Sequence, residues 1–289
     1  MEMNGRERVL AALDRAQPDR VPICELYINE SSLVALARLL FGEVPEAGAS
    51  RDRFGEESEQ IMDLYVSVVE ALDLDATVTN FSIGLELQGN DRARDKFGTV
   101  YELSEHGEPL PIDGPIRGPA DIVGFDMVSK LEDGDFSGVR HVVDASGGER
   151  AHAVCVTDPF KVSWRRCGGM QHLLMHYMLE PDLVHSLARV ATDYDKAAID
   201  MAAQGGADII IVPGDLAGEH NTLISPEHYR EYIKPYHREM VDHAHNKGLR
   251  IVKHSDGNVW PILDDFLEVG FDGIHPIPVS YTHLRAHET

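Results

Sequence analysis

Six short runs of apolar, largely β-branched residues punctuate this 289-residue chain, and stretches with helical apolar spacing separate them. The clearest unit runs from Gly248 to Ile277. Leu249–His254 reads as a buried strand, and Ser255-Asp256-Gly257-Asn258 as a polar turn. Ile262, Leu263, Phe266 and Leu267 then recur at helical spacing until Gly270, after which a second short strand begins. Parallel strands need a long crossover between them, usually a helix, so repeated units of this kind specify a parallel α/β fold. Both strands finish on a histidine, His254 and His275. Ligands of parallel α/β folds bind beyond the carboxyl ends of the strands, so both imidazoles are expected at the rim of a site.

In chain order, Asn4 is expected to cap a helix that reaches about Asp14, and Val21–Tyr27 follows as the first core strand. Helices near Ser31–Leu40 and Glu56–Leu72 lead to a second strand, Ala76–Thr79. Gly and Pro punctuation around Thr99–Leu103 marks residues 81–118 as a β-hairpin excursion. A helix near Phe136–Asp144 precedes the third strand, Ala151–Val156. Helices near Gly169–Met178 and Pro181–Gln204 precede the fourth, Ala207–Val212. Ser225 and Pro226 open one long helix that ends near Gly248. The fifth strand ends at His254, and the sixth is Asp272–Ile277. Right-handed crossovers make such a series either a barrel or an open doubly wound sheet. No Gly-x-Gly-x-x-Gly follows a strand, so a barrel is the better expectation.

A formal charge of −23 opposes binding to nucleic acid or to anionic membrane surfaces. No apolar run reaches the length of a membrane span, and the charged, helical N-terminus is unlike a secretion signal. Cys24, Cys155 and Cys167 form no metal-type pair and leave one thiol over, which fits a reducing cytoplasm. Oligomeric state is not legible.

More specific signals lie in Arg6–Pro22, with its Arg-x-x-Val-Leu-x-Ala-Leu and Pro-Asp-Arg-Val-Pro, and in Gly169-Met170 followed by Glu180–Val184. Gly214-Asp215, Ile224–Glu227, Ile233–Tyr236 and the stretch from His254 to Pro276 continue the series. Together these resemble the uroporphyrinogen decarboxylase superfamily over nearly the whole chain. The resemblance implies a (β/α)8 barrel, a TIM barrel with its site at the carboxyl ends of the strands. It also implies one of two chemistries: cofactor-free decarboxylation of a porphyrinogen, or methyl transfer involving a corrinoid protein and often zinc. Six strands are two short of a barrel. Val279–Thr289 resembles the translation of a transposase-type sequencing adapter, so residues 1–278 are expected to be one domain truncated after about six strands, and 279–289 a non-native tail.

The decarboxylases carry Arg-Gln-x-Gly-Arg after the first strand, whereas Ile23–Glu30 holds no arginine, and Asn80-Phe81-Ser82-Ile83 lacks their Phe-Ser-Asp aspartate. An acidic segment there would repel a polyanionic tetrapyrrole. The methyltransferase branch binds zinc through His-x-Cys, which reads His254-Ser255-Asp256 here. A site of His254, Asp256 and Glu219 would be harder than the thiolate version, since imidazole and carboxylate remain competent ligands. The resemblance therefore points to methyl transfer between a small methylated substrate and a corrinoid carried by a partner protein. Expected catalytic residues are His254, Glu25 and Asp215; expected substrate contacts are Asn80, Asp158, Trp164, Glu219, Asp256 and His275. A tetrapyrrole decarboxylase and a non-catalytic corrinoid- or tetrapyrrole-binding relative are the alternatives. Asp158 also reads as a turn starter before Pro159, and Arg165 and Arg166 as an anion clamp or as partners of the acidic surface. The histidines from His228 to His245 read as surface residues of an amphipathic helix.

Overall fold

The computed structural model describes residues 2–42, 44, 59–81, 84–89, 91–104 and 109–277. Helices α1 (Gly5–Leu13), α2 (Glu30–Phe41) and α3 (Glu59–Ala71) precede strand β1 (Ala76–Asn80). Four short strands follow: β2 (Leu85–Leu87), β3 (Arg92–Asp95), β4 (Val100–Leu103) and β5 (Pro109–Asp113). Next come α4 (Ser137–Ser146), β6 (Ala151–Cys155), α5 (Pro159–Arg166), α6 (Met170–Leu179) and α7 (Pro181–Gln204). The last part holds β7 (Ile209–Pro213), α8 (Pro226–Tyr232), α9 (Lys234–Asn246), β8 (Arg250–His254), α10 (Leu263–Val269) and β9 (Gly273–His275).

Strands β1, β6, β7, β8 and β9 pair in that order as a parallel sheet. Register sorts their side chains. Val154, Ile210, Val212 and Ile251 face the core built with helices α5, α7 and α9, and all four are fully buried. Each contributes roughly 1.5–3 kcal/mol by leaving water. On the other face, Ala76, Ala151, Ala153, Cys155, Ile209 and Ile211 pack with Val9, Leu10 and Leu13 of α1 and with Leu26. Helix α1 begins in a capping box, with the Asn4 side chain accepting from the Glu7 amide at 2.8 Å and the Glu7 carboxylate from the Asn4 amide at 3.1 Å.

Five of the six expected core strands join this sheet, and Val21–Tyr27 does not. Pro22 has no N–H to give a ladder; among the described residues the segment's backbone bonds run between Ile23 and Asp75, and Leu26 packs on the sheet face. The Asp75 amide donates to Ile23 O at 2.7 Å, and the Ile23 amide to Asp75 Oδ2 at 2.7 Å. Val21 and Tyr27 remain 80% and 67% exposed. Among the described residues the sheet is thus open at β1 and β9, with five strands where a barrel truncated after about six was expected. Residues 278–289, Ser82 and Ile83 lie outside the described residues.

The excursion forms a four-stranded antiparallel meander, β2-β3-β4-β5, larger than a hairpin. It docks on the end of α5. Arg166 grips Asp95 with two bonds of 3.0 and 2.6 Å, and Tyr101 donates to the same carboxylate at 2.8 Å. Gly114 lies so near this junction that a Cβ there would fall 2.1 Å from Arg166 O. The single helix expected after Ser225 is broken at Ile233, and Pro235 sits in the first turn of α9, where its missing N–H costs nothing.

Candidate metal and substrate site

Register places His254 beside His275 at the carboxyl ends of β8 and β9. Their rings lie 5.2 Å apart at 27°, with the two Nδ1 atoms 2.9 Å apart. Two nitrogens at that distance need one proton between them, so one ring donates and the other accepts. Asp215 follows β7 in the next loop; its Oδ1 lies 3.6 Å from His254 Nε2 and accepts from the Asp256 amide at 3.0 Å. The ligand atoms of Asp215, His254 and Asp256 all lie within 4.8 Å of one another. Burial lowers the His254 imidazole below its ordinary value against the pull of Asp215 and Asp256. Burial likewise lowers His275, against Asp256 and Glu25. Both rings are therefore neutral at pH 7, the form that can offer a lone pair.

The loops carrying these groups are stitched together. Ser255 is buried, and its hydroxyl accepts from the Leu216 amide at 2.9 Å. The Asn258 amide donates to Gly218 O at 2.8 Å. Gly257, at φ +84°, permits the approach, because a Cβ there would lie 2.5 Å from Ala217 O. Ser255 is thus a strut between the two loops, which suits a residue type that binds zinc poorly.

Beneath the rim lies a fully buried polar chain. Lys253 Nζ reaches Asp158 Oδ2 at 2.9 Å and also donates to Gly214 O at 2.8 Å and His254 O at 2.9 Å. His237 Nε2 donates to Asp158 Oδ2 at 2.8 Å, and Tyr229 donates to His237 Nδ1 at 3.1 Å. Asp158 Oδ1 caps α5 through the Phe160 and Lys161 amides at 2.8 and 3.2 Å. Burial would raise the Asp158 carboxyl, but Lys253 and His237 outweigh it and hold the group below the usual carboxylate range. Burial keeps His237 neutral, although Asp158 pulls the other way.

The expected site residues thus divide. His254, His275, Asp215 and Asp256 come together. Glu25 is exposed, close enough to His275 to influence its charge. Asn80 is exposed at the end of β1, in register with Cys155. Glu219, expected as a metal ligand, is exposed in the loop after β7 and is not part of the trio; Asp215 stands there instead. Asp158, expected to touch substrate, is fully buried as a helix cap and counter-ion, so no substrate reaches it in this structure. Trp164 is partly buried against the main core, with the Arg165 guanidinium 5.8 Å from its ring. His237, expected on the surface, is fully buried. Its signal was present: it shares a stripe with Ile233, Met240, Val241 and Ala244. Lys253 was overlooked, although a charged residue two positions from the fully buried Ile251 must share its face.

An open parallel sheet with polar residues gathered beyond the carboxyl strand ends is the α/β arrangement in which ligands bind at the strand ends. The chain belongs to the uroporphyrinogen decarboxylase (URO-D) family, whose model matches residues 4–276. It is 25% identical over 288 residues to the methylated-thiol–coenzyme M methyltransferase of Methanosarcina mazei, covering 97% of this chain and 71% of that protein. It is 23% identical over 279 residues to a methylcobamide:CoM methyltransferase of Methanosarcina barkeri, covering 94% of this chain and 75% of that protein. A solved methyltransferase from Methanosarcina mazei shares the fold with a TM-score of 0.70 at 21% identity, over 94% of this chain and 76% of that one. No helix among the described residues is long and apolar enough to cross a membrane.

Proposed function

We propose that this chain is a cytoplasmic enzyme that moves a methyl group between a small methylated substrate and a corrinoid carried by a partner protein. The observation that carries the reading is the trio of Asp215, His254 and Asp256 at the strand ends of a URO-D family sheet. The similarity to coenzyme M methyltransferases supports it. One imidazole and two carboxylates fit zinc or a harder divalent ion, and these three residues would hold it. Bound there, the ion would supply Lewis-acid activation of the substrate's heteroatom. His254 would give its Nδ1 proton to His275 Nδ1, which orients the ring and leaves Nε2 free on the Asp215 side. Lys253, on the carbonyls of Gly214 and His254, sets the spacing between the two loops. The exposed carboxylates of Glu25, Asp215, Glu219 and Asp256 disfavour a polyanionic tetrapyrrole at the same mouth. We read the sheet as part of the (β/α)8 barrel that the family resemblance implies.

The test is metal analysis of the purified protein together with methylation of cob(I)alamin by simple methyl donors. A bound divalent ion that is lost in His254→Ala, with methylation lost in parallel, is the expected result. A protein that takes up no metal and leaves cob(I)alamin unchanged would refute the reading.

A further inference from the structure

Helix α6 departs from the charge pattern of the rest of the chain. It reads Met-Gln-His-Leu-Leu-Met-His-Tyr-Met-Leu, with no Asp, Glu, Lys or Arg among its ten residues, in a chain that holds 49 acidic and 26 basic ones. A helix that is apolar all round belongs in an interior. The inner face of α6 meets that rule. Leu173 and Tyr177, one turn apart, are buried in the main core, and Met170 and Leu174 pack against it. The outer face does not. Gln171, Met175, Met178 and Leu179 fall on one stripe at helical spacing, and Met175, Met178 and Leu179 are 54%, 74% and 72% exposed. Scattered exposed apolar residues are ordinary, but a contiguous stripe marks an interaction surface, and flexible methionine suits one.

The exposed charges beside this stripe are negative. α6 runs directly into Glu180 and Asp182, both exposed. α8 packs alongside, with the Tyr177 ring 5.2 Å from that of His228 and 4.8 Å from that of Tyr232. Glu227 and Glu231, exposed and one turn apart, adjoin those two residues on α8. Positive charge is missing. From Cys167 to Ala188 the chain carries no lysine or arginine, and Arg230 of α8 is already held by Asp265 at 3.1 Å.

We propose that this face of α6 is a docking surface for a basic amphipathic helix of a partner protein. Apolar side chains of that helix would cover Met175, Met178 and Leu179, and its lysines or arginines would meet Glu180, Asp182, Glu227 and Glu231. A second copy of this chain is a poorer occupant, because it would bring the same carboxylates to the contact on a body that carries −23. Neither α6 nor these four acids belong to the Asp215–His254–Asp256 trio, so the docking surface stands independently of the methyl-transfer reading.

Fluorescence anisotropy with a labelled leucine–lysine peptide of amphipathic helical spacing tests this on the intact protein. The comparisons are a peptide of the same composition in scrambled order and a leucine–glutamate peptide of the same spacing. The amphipathic basic peptide should bind at least about tenfold more tightly than the scrambled one, the scale of covering one large apolar side chain. General attraction to an acidic protein acts on both basic peptides alike, so their ratio isolates the apolar stripe. Met178→Gln/Leu179→Gln should abolish the ratio, and Glu180→Gln/Glu231→Gln should weaken the amphipathic peptide more than the scrambled one. Leu267→Gln, at an exposed leucine of α10, should change neither. Equal affinity for the two basic peptides, an undiminished ratio in Met178→Gln/Leu179→Gln, or equally tight binding of the leucine–glutamate peptide would overturn the proposal. So would a dimer of the free protein in sedimentation that Met178→Gln/Leu179→Gln dissolves, since that assigns the stripe to a second copy.

Discussion

Replacing Lys253 by methionine keeps most of the stem and deletes the ammonium from the interior. Asp158 would then keep His237 Nε2 and the two capping amides but lose its one certain positive charge. Gly214 O would lose the 2.8 Å bond, whereas His254 O would still accept from the Gly214 amide at 3.2 Å. The dominant loss is thus a buried carboxylate left without its counter-ion, about 3–5 kcal/mol. Against a typical total of about 5–15 kcal/mol, that is a third of the stability or more. Urea unfolding followed by circular dichroism would measure it, and the double variant Lys253→Met/Asp158→Asn should recover part of the loss, because neither charge then remains buried. The wild type should also lose stability as the pH falls below about 4. A carboxyl whose folded pKa is depressed stabilises the fold above its unfolded pKa, and protonation removes that term. A cost below about 1 kcal/mol for Lys253→Met, or no recovery in the double variant, would refute the account of this pair as a buried ion pair holding two loops.

Asp195, also fully buried, is the opposite case: burial pushes its carboxyl well up, Thr157 donates to one oxygen, and the other has no hydrogen-bond partner among the described residues. Asp195→Asn should therefore cost less than about 1 kcal/mol at pH 7 in urea titrations, and it should flatten the loss of stability that a raised carboxyl produces as pH rises above about 4. His237 is held neutral by burial, so its contribution is complete above about pH 6.5 and declines as the pH falls from there. In His237→Gln, melting temperature plotted against pH should lose the slope just below that point, and an unchanged slope would assign it elsewhere. Gly257→Ala should cost upwards of about 1–2 kcal/mol from its left-handed backbone alone, with the clash at Ala217 O added. Thermal melts that show no loss would mean the two loops move apart freely.

Much of the sheet was legible because burial on both faces leaves a local trace. Ala151–Cys155 and Ile209–Pro213 are apolar runs interrupted only by His152, and such runs report a parallel core strand without knowledge of the partner, whereas Arg250–His254 carries that trace only in Ile251 and Val252. The end of each run also told where His254 and His275 would stand. Val21–Tyr27 is apolar in the same way, yet its fate depended on a neighbouring ladder; Pro22 could give no N–H, and among the described residues Ile23 found only the amide and carboxylate of Asp75. Asp158 and Glu219 show the corresponding limit for the site. Both are acids in loops after strands, and their sequence surroundings do not say that one caps a helix in the interior while the other faces water.

Periodicity and residue type alone thus determined the parallel α/β class and the two histidines at strand ends, because both follow from spacing along one stretch of chain. Tertiary structure decided which acids stand beside them, and that Lys253 neutralises Asp158 below the rim while His237 bonds the same carboxylate. Those outcomes depend on distances between segments far apart in sequence, and register and packing set those distances.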